Sequence, residues 1–363
     1  MTAPKEKAFA PKGAVFLLQK RGVALLMTIW ILMLLTVIVT EFCYTMRSRV
    51  NITRNLKDST QAYYVAVAGV NRAIAELLRQ QKEPGKSEKE EDASAGDQSP
   101  DWRINTQMPP IEFADGEFRV HIQNASGRIE LNRADKKLFQ AVLKGFDIDE
   151  KQRKTIVDSI LDWRDENDMH RTHGAEDDYY QSLDPPYDCK DADFDSVDEL
   201  LLVKGVTPEI FYGGLDKLVT VLPLPEKGLS GSGDEEKGYN YNRININAAS
   251  EEMWRRLPGM TPELVEQVQE FRKEKTFTSK SQLFDVLGGE AYDKVEPYIS
   301  MDSLAYYTIF SAGRVSDSGN RRGVEAGVIL DPESDKGYRI ISWRDGLREH
   351  EGALLSDGRS ESE

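Results

Sequence analysis

An uninterrupted apolar run near the N-terminus constrains this chain more than any other feature of its sequence. Residues 23–40 contain no charged side chain and are rich in leucine, isoleucine, valine and methionine. At a rise of about 1.5 Å per residue, a helix of this length crosses most of a hydrocarbon core about 30 Å thick. The sequence therefore predicts one membrane-spanning helix, and no second run of this kind follows.

A removable secretory signal peptide is the competing interpretation of the apolar run. The apolar region of such a peptide usually has about 7–15 residues and ends at a small-residue cleavage site. Here the run leads into a further helical stretch from Glu41, so we expect a permanent, single-pass anchor. By the positive-inside rule, the N-terminal end stays in the cytoplasm and the rest of the chain crosses the membrane, because basic residues precede the run: Lys5, Lys7, Lys12, Lys20 and Arg21. Arg47 and Arg49, beyond the run, weaken this orientation.

The length, charge and cysteine content of the chain limit how many domains it forms and how they are stabilised. With 363 residues it is too long for one ordinary domain. Its 62 acidic residues exceed its 47 basic ones and give a net charge of −15. The two cysteines, Cys43 and Cys189, define no disulfide framework for the exported part.

Hydrophobic periodicity divides the chain into segments. Apolar residues recur at helical spacing after the membrane run, which predicts a combined transmembrane and stem helix over residues 23–82. Residues 83–100 are charged and rich in proline, glycine and serine, and we expect a linker there. Alternating residues predict a strand over 117–127 and a meander of three strands over 306–315, 321–331 and 336–345, so residues 101–127 plus 303–348 form one small antiparallel sheet domain.

The segment inserted between these strands, residues 128–302, contains an internal repeat. Asn132 and Asn247 open two similar stretches, each followed by two amphipathic helical patterns. Phe194 and Phe277 match further on, but at a smaller offset, so the first copy has about 32 extra residues. The repeat predicts two helical lobes, residues 128–222 and 243–302, with an acidic insert over 165–193 in the first.

Each lobe resembles a helix-hairpin-helix unit of the SAM-like kind, with a Gly-x-Thr-Pro turn in which threonine caps the next helix and proline begins it. Such hairpins bind nucleic-acid phosphates when basic residues surround them. The second lobe carries Arg255, Arg256 and Lys273, but the acidic balance of the chain argues against nucleic acid. We therefore expect structural reuse of the hairpin.

The acidic insert is the candidate site for an ion. Its carboxylates would repel one another unless a cation were held among them, and calcium accepts about 6–8 oxygen ligands in tolerant geometry. Zinc, bound by His170, His173 and Cys189, is a second possibility, and a solvated loop without an ion is a third. The candidate ligands for calcium are Asp162, Asp165, Asn167, Asp168, Glu176, Asp177 and Asp178.

Enzymatic function finds little support. The chain has four histidines and two cysteines and no G-x-S-x-G, H-E-x-x-H or phosphate-loop pattern. No recognised sequence motif therefore places a nucleophile beside a base, and we expect a non-catalytic protein.

A short basic leader ending at Gly22, an apolar helix from Val23, a stem and a final small sheet resemble a type IV pilin-like precursor. The resemblance implies removal of residues 1–22 by a prepilin peptidase, between Gly22 and Val23. Together with "RGVALL", "DWRDEND", "GAEDDYY" and "LLVKGVTPEI", the large helical insertion resembles the K-type minor pseudopilins of type II secretion. Met27 stands at the fifth mature position, where ordinary members carry a glutamate that pairs with a neighbouring subunit's amine.

The resemblance implies an α+β protein that caps the tip of the periplasmic pseudopilus and helps to initiate its assembly. It implies contacts with the I-type and J-type minor pseudopilins, which we expect to run through the stem helix. It also implies calcium at Asp162, Asp165, Glu176 and Asp177, to which proximity adds Asn167, Asp168 and Asp178. Two alternatives stay open: a membrane-anchored DNA receptor, and a minor pilin of a type IV pilus.

Overall fold

The computed structural model describes residues 16–82, 102–106, 108–223, 239–316 and 318–347, and the predicted linker lies outside these ranges. The chain divides into two compact units between Thr60 and Gln61. The long helix α1, Phe16–Lys82, contributes to both. The remaining elements belong to the second unit.

In the first unit, α1 has an apolar surface with its side chains exposed. It is the helix, within the described ranges, whose length and composition suit a membrane span. The hydroxyl groups of Thr28, Thr36 and Thr40 donate hydrogen bonds to carbonyl oxygens of the preceding turn, at 2.8 Å each. The polar atoms of these side chains are thereby satisfied within the helix, as an apolar surrounding requires.

Three positions that the family resemblance singled out also lie on α1. Gly22 and Val23 are inside the helix, which begins at Phe16, and the side chains of Val23 and Met27 are exposed. The predicted leader up to residue 15 lies outside the described residues.

The elements of the second unit alternate between short strands and helices. The strands are β1 Ile111–Phe113, β2 Gly116–Asn124, β3 Ile129–Glu130, β4 Val219–Thr220, β5 Ile244–Asn245, β6 Ile299–Ser300, β7 Tyr306–Val315, β8 Arg321–Leu330 and β9 Tyr338–Asp345. The helices are α2 Lys136–Leu143, α3 Glu150–Trp163, α4 Asp177–Tyr180, α5 Pro208–Ile210, α6 Asp216–Leu218, α7 Glu251–Arg256, α8 Pro262–Glu274, α9 Lys280–Leu287 and α10 Gly289–Val295.

Five strands form one antiparallel sheet in the order β1-β2-β7-β8-β9. In its centre β2 pairs with β7, with Asn124 opposite Tyr307, so the long insertion leaves and re-enters the sheet between neighbouring strands. This confirms the predicted pairing of distant strands.

The predicted strand limits differ at two places. The strand predicted to run to residue 127 ends at Asn124, because the side chain of Asn124 caps a 3₁₀ turn over Ala125–Gly127. The last strand begins at Tyr338 and not at 336, because Gly337 has a φ of +77° that turns the chain before it. The short strand β1 was not predicted.

The C-terminal part of α1 covers one face of this sheet. Small and branched side chains of the helix meet inward residues of β2, β7 and β8, and all of the following are buried: Ala62, Val65, Ala66, Val70, Ala73, Ile74 and Leu77. Gly313 on β7 allows the closest approach, because a side-chain carbon there would overlap the backbone of Ala62 and Ala66. Helix and sheet therefore touch backbone to backbone at this point.

The two lobes of the insertion share a hydrogen-bonding plan. Asn132 donates to the carbonyl of Phe194 at 3.0 Å and accepts from its amide at 2.7 Å. Asn247 does the same with Phe277, at 2.9 Å in both directions. In each lobe a short parallel strand pair joins the beginning of the segment to its end: β3 with β4 in the first lobe and β5 with β6 in the second. The sequence repeat thus reflects an asparagine that ties together the two ends of each lobe.

The hairpin turns also match. Gly205 and Gly259 have φ values of +89° and +82°, and the threonines that follow, Thr207 and Thr261, cap the next helices with proline at the start. The buried side chains of both lobes, including Phe139 and Trp254, form one continuous core. The inserted segment therefore packs as a single helical body.

Candidate metal centre

Asp162, near the end of α3 and just before the acidic insert, is the most deeply buried of the predicted ligand carboxylates. It is fully buried and accepts hydrogen bonds from the amide of Ala175 at 2.9 Å and that of Arg171 at 3.1 Å. Gly174 makes room for it, since any side chain at position 174 would overlap the Asp162 carboxylate. The "GAED" stretch therefore folds around this one acid.

Arg171 neutralises the first pair of predicted ligands. Its Nη1 atom lies 2.6 Å from Oδ1 of Asp162 and 2.5 Å from Oδ2 of Asp165. The guanidinium thus occupies the position between the two carboxylates that a cation would fill. A metal ion that used both Asp162 and Asp165 would have to displace Arg171.

Glu176 is in the opposite situation. Its side chain is 3% exposed, and neither carboxylate oxygen has a hydrogen-bond partner of normal geometry within the described residues. Ligand atoms of Glu176, Cys189 and Asp191 all lie within 4.8 Å of one another, and we call these three residues the Glu176 cluster. Oδ1 of Asp191 is also buried without a partner. Such buried polar atoms are costly unless another group compensates them.

Burial disfavours the charged forms of the acidic groups in the cluster. Burial raises the pKa of Glu176 to about 7; the neighbouring Cys189 thiol opposes this shift, and the negative charges of Asp162, Asp191 and Asp165 add to it. Burial likewise raises the pKa of the Cys189 thiol and of Asp162. A divalent cation would stabilise the ionised carboxylates and reverse these shifts.

The other predicted ligands have different surroundings. Asp177 accepts a hydrogen bond from the amide of Cys189 at 2.7 Å and so shapes the loop that carries the cluster. Asp178 accepts from the amide of Tyr179 at 2.9 Å. Asn167 is hydrogen-bonded to Asp165, and Asp168 is exposed. The structure thus brings Asp162 and Asp165 around Arg171, with Asn167 bonded to Asp165, and leaves Asp168 and Asp178 at the surface.

Sequence reasoning missed one member of the cluster and placed another in a different set of ligands. Asp191 was not a candidate ligand, and Cys189 was considered only for zinc, with His170 and His173. His170 is exposed, with Nδ1 2.9 Å from the carbonyl of Arg171, and neither histidine belongs to the cluster. The signal for Asp191 is weak, because it stands among further aspartates and meets Glu176 only through the path of the loop.

Aromatic packing fixes this loop on the first lobe. Tyr180 is fully buried, with its ring 5.2 Å from that of Trp163 and 5.3 Å from that of Tyr187. Lys204 donates from Nζ to the carbonyl of Gly174 at 3.0 Å and lies 4.3 Å from the ring of Tyr179. The insert is therefore an ordered part of the lobe.

The three basic residues of the second lobe on which the DNA hypothesis depends are each paired with a glutamate. Arg255 pairs with Glu251, Arg256 with Glu252 and Lys273 with Glu270, each within one turn of its own helix. The positive charges that the DNA hypothesis depends on are thus offset locally.

Comparison with known proteins relates the two lobes to described families. Residues 119–224 match the family model "Type II secretion system (T2SS), protein K", and residues 239–300 match a helix-hairpin-helix motif. The first match contains the whole acidic insert. The second coincides with the second lobe.

Three curated relatives are similar over a little more than half of this chain. A putative type II secretion system protein K of Escherichia coli K12 is 27% identical over 226 residues, which are 58% of this chain and 65% of that protein. Type II secretion system protein K of Aeromonas hydrophila is 24% identical (56% and 63% covered), and that of Pseudomonas aeruginosa PAO1 is 27% identical (56% and 62%). The chain thus spans just under two thirds of the length of these relatives.

A solved structure shares the fold. A chain from the crystal structure of the GspK-GspI-GspJ complex of the enterotoxigenic E. coli type 2 secretion system aligns with a TM-score of 0.50 and 16% identity. The alignment covers 82% of this chain and 99% of that one. At this identity the likeness supports the α+β architecture alone.

Proposed function

Because the chain belongs to the family of type II secretion system protein K, we propose that it is a non-catalytic minor pseudopilin that caps the periplasmic pseudopilus and helps to initiate its assembly. The observation that carries this proposal is the insertion of a two-lobed helical body between β2 and β7 of a pilin-like sheet. A subunit widened in this way fits poorly inside a filament, where neighbours surround every subunit. The end of the filament has room for it.

The stem helix supports the same position. Met27 stands where filament subunits carry a glutamate for the amine of the adjoining subunit, and its side chain is apolar and exposed. A subunit at the tip has no subunit above it whose amine needs such a partner. Cleavage by prepilin peptidase between Gly22 and Val23, insertion in the bacterial inner membrane and a periplasmic location of the second unit complete the proposal.

We propose the I-type and J-type minor pseudopilins as partners, bound through α1. Beyond the membrane run, α1 exposes Ile52 and Leu56, which lie one turn apart on the same side of the helix. Apolar side chains at this spacing are suited to helix-to-helix packing.

Charging this side of α1 is expected to disrupt the complex. In membranes that contain all three tagged proteins, the double variant Ile52→Asp and Leu56→Asp should reduce recovery of the I-type and J-type partners at least about tenfold, because each buried aliphatic side chain contributes about 1.5–3 kcal/mol. The variant Asn51→Asp and Asn55→Asp adds the same charge at the same spacing on another side of the helix and should leave recovery unchanged. Equal recovery with both variants would contradict the role of α1.

We further propose that the acidic insert binds calcium. The unpartnered oxygens of Glu176 and Asp191 fit a hard cation, and Asp162 and Asp165 could join them if Arg171 moved away. The ion would supply positive charge to a region of converging carboxylates. It would thereby hold the loop of the insert against the first lobe.

Calcium titration of the detergent-solubilised chain is expected to show carboxylate-dependent binding and a higher midpoint of thermal unfolding. Glu176→Gln should weaken binding at least about tenfold, since even outer-shell changes alter metal affinity by about 10–100-fold. Glu290→Gln removes an exposed carboxylate from the second lobe and serves as the control. Undiminished affinity in Glu176→Gln would overturn the assignment of this site.

A further inference from the structure

The second lobe contains a buried guanidinium, that of Arg272, beside a cavity whose charged residues are all basic within the described chain. We propose that this cavity binds a small oxyanion of the carboxylate or phosphate class from solution, held by Arg272, Lys275 and the indole N–H of Trp102. The proposal does not depend on the proposed function. It involves neither the acidic insert nor the hairpin turn at Gly259.

The cavity lies between the C-terminal end of α1, the segment 102–106 and the C-terminal end of α8. Its volume is about 120 Å³, whereas a single water molecule needs about 10–15 Å³. Arg272 is 7% exposed, while Lys275 and Thr276 are exposed, so the cavity leads from a buried charge to the surface. No described residue that lines it is acidic.

Arg272 bonds to neutral groups and not to a carboxylate among the described residues. Its Nη1 and Nη2 atoms donate to the carbonyls of Ala249 and Asn247, at 2.6 Å each. These bonds use two of the five N–H donors of a guanidinium and leave others for a ligand. Burial lowers the pKa of Arg272 to about 10. A buried charge of this kind is costly unless an opposite charge accompanies it.

The first lobe shows how such a charge is compensated. Arg164 is the counterpart of Arg272, because it also lies at the end of the second helix of its lobe and donates to two carbonyls near the lobe's asparagine, those of Leu131 and Ala134. Burial lowers the pKa of Arg164 too, and Arg171 acts in the same direction. Three acids oppose this shift: Glu130, Asp193 and Asp165.

The second lobe lacks these acids. The residues that correspond to them by the sequence repeat are neutral or basic: Asn245, Thr276 and Lys273. Thr276 lines the cavity, at the position that Asp193 has directly before the phenylalanine of the first lobe. The first lobe therefore carries its own negative charge, whereas the second has a cavity at the corresponding place.

Trp102 adds a hydrogen-bond donor to the same cavity. Its side chain is 5% exposed, and Nε1 has no hydrogen-bond partner within the described residues. A buried N–H without an acceptor is costly. An oxyanion accepts several hydrogen bonds, so one bound anion would satisfy the indole N–H and also neutralise the guanidinium.

Inorganic phosphate is the probe. Isothermal titration into the full chain in detergent, at an ionic strength held constant with chloride, is expected to show one site per chain with a dissociation constant of about 1 mM or lower. Thr276→Asp places a carboxylate where the first lobe has one, so it should abolish phosphate binding and raise the midpoint of thermal unfolding. Thr278→Asp is the control, because it adds the same charge at an exposed threonine that does not line the cavity, and it should change neither quantity.

Two further variants test the donor and the source of the anion. Trp102→Phe keeps an aromatic ring without the N–H and should weaken binding at least about tenfold. Asp101 directly precedes Trp102 in the sequence, so phosphate binding that appears only in Asp101→Asn would show that the chain supplies its own carboxylate and would overturn a ligand from solution. Undiminished binding in Thr276→Asp, or no binding by either the unaltered chain or Asp101→Asn, would overturn the site itself.

Discussion

Replacement of Gly313 by valine is expected to lower the free energy of unfolding of the second unit by about 3 kcal/mol or more. A side-chain carbon at position 313 would overlap backbone atoms of Ala62 and Ala66 and lie 3.0 Å from the carbonyl carbon of Val65. Backbone cannot rotate away as a flexible side chain can, so α1 would have to lift from β7. Overpacking in a well-packed core typically costs about 1–3 kcal/mol, and separation of helix and sheet adds lost burial.

Denaturant unfolding of the detergent-solubilised chain, followed by tryptophan fluorescence, measures this effect. Gly213→Ala is the control, because a side-chain carbon there meets nothing within 4 Å. We expect that variant to unfold within about 0.5 kcal/mol of the unaltered protein. If Gly313→Val is equally well tolerated, the close contact between helix and sheet is wrong.

Acidification from pH 6.5 to pH 4 is expected to remove up to about 3 kcal/mol of stability through one buried histidine. Burial lowers the pKa of His121 to about 4 in the folded chain; nearby Arg272 and Arg128 act in the same direction, and the backbone at Thr106 opposes them. In the unfolded chain histidine titrates near 6.5. Between these values the unfolded state binds more protons than the folded state, so the free energy of unfolding falls as the pH falls. Above pH 7 both states have a neutral histidine, and the full stability is present.

The contribution of His121 to the pH dependence of stability is measured by comparing the unaltered protein with a variant. His121→Leu cannot be protonated and should show a smaller fall in stability over this range in denaturant unfolding at each pH. The raised pKa of Glu176 and of Glu130 gives the opposite slope in both proteins and cancels in the difference. Parallel pH profiles for His121→Leu and the unaltered protein would show that burial does not suppress the charge of His121.

The sheet and the repeat were predictable because their sequence signals are local and periodic. Residues alternate along β7 and β8, and turn-forming residues separate these strands, so the predicted limits agree with the structure to within one residue. The asparagine and phenylalanine of each lobe recur because each pair makes the same two hydrogen bonds. In contrast, β1 has three residues and follows two prolines, too short a stretch for a periodic pattern.

The site was less predictable, because charge was counted along the chain and not in space. The acidic insert contains its own cations: Arg171 lies between Asp162 and Asp165, and Lys190 pairs with Asp195 and Glu199. The repulsion that argued for an ion is therefore partly relieved by the protein itself. The unrelieved carboxylate, Glu176, meets Asp191 across a loop without periodicity, and no spacing rule predicts that contact.

The route of the chain through the sheet has a consequence for how the protein folds. The two central strands are separated by about 180 residues, a separation that slows folding when the intervening chain is disordered, because closing a long loop costs entropy. The inserted helical body removes this obstacle if it folds first. The two ends of the insertion lie close together, because the side chain of Asn124 donates a hydrogen bond to the carbonyl of Leu304 at 2.7 Å. Once the insertion has folded, β2 and β7 are therefore neighbours, as the two strands of a short hairpin are. The insertion then acts as an internal template for the sheet that carries it.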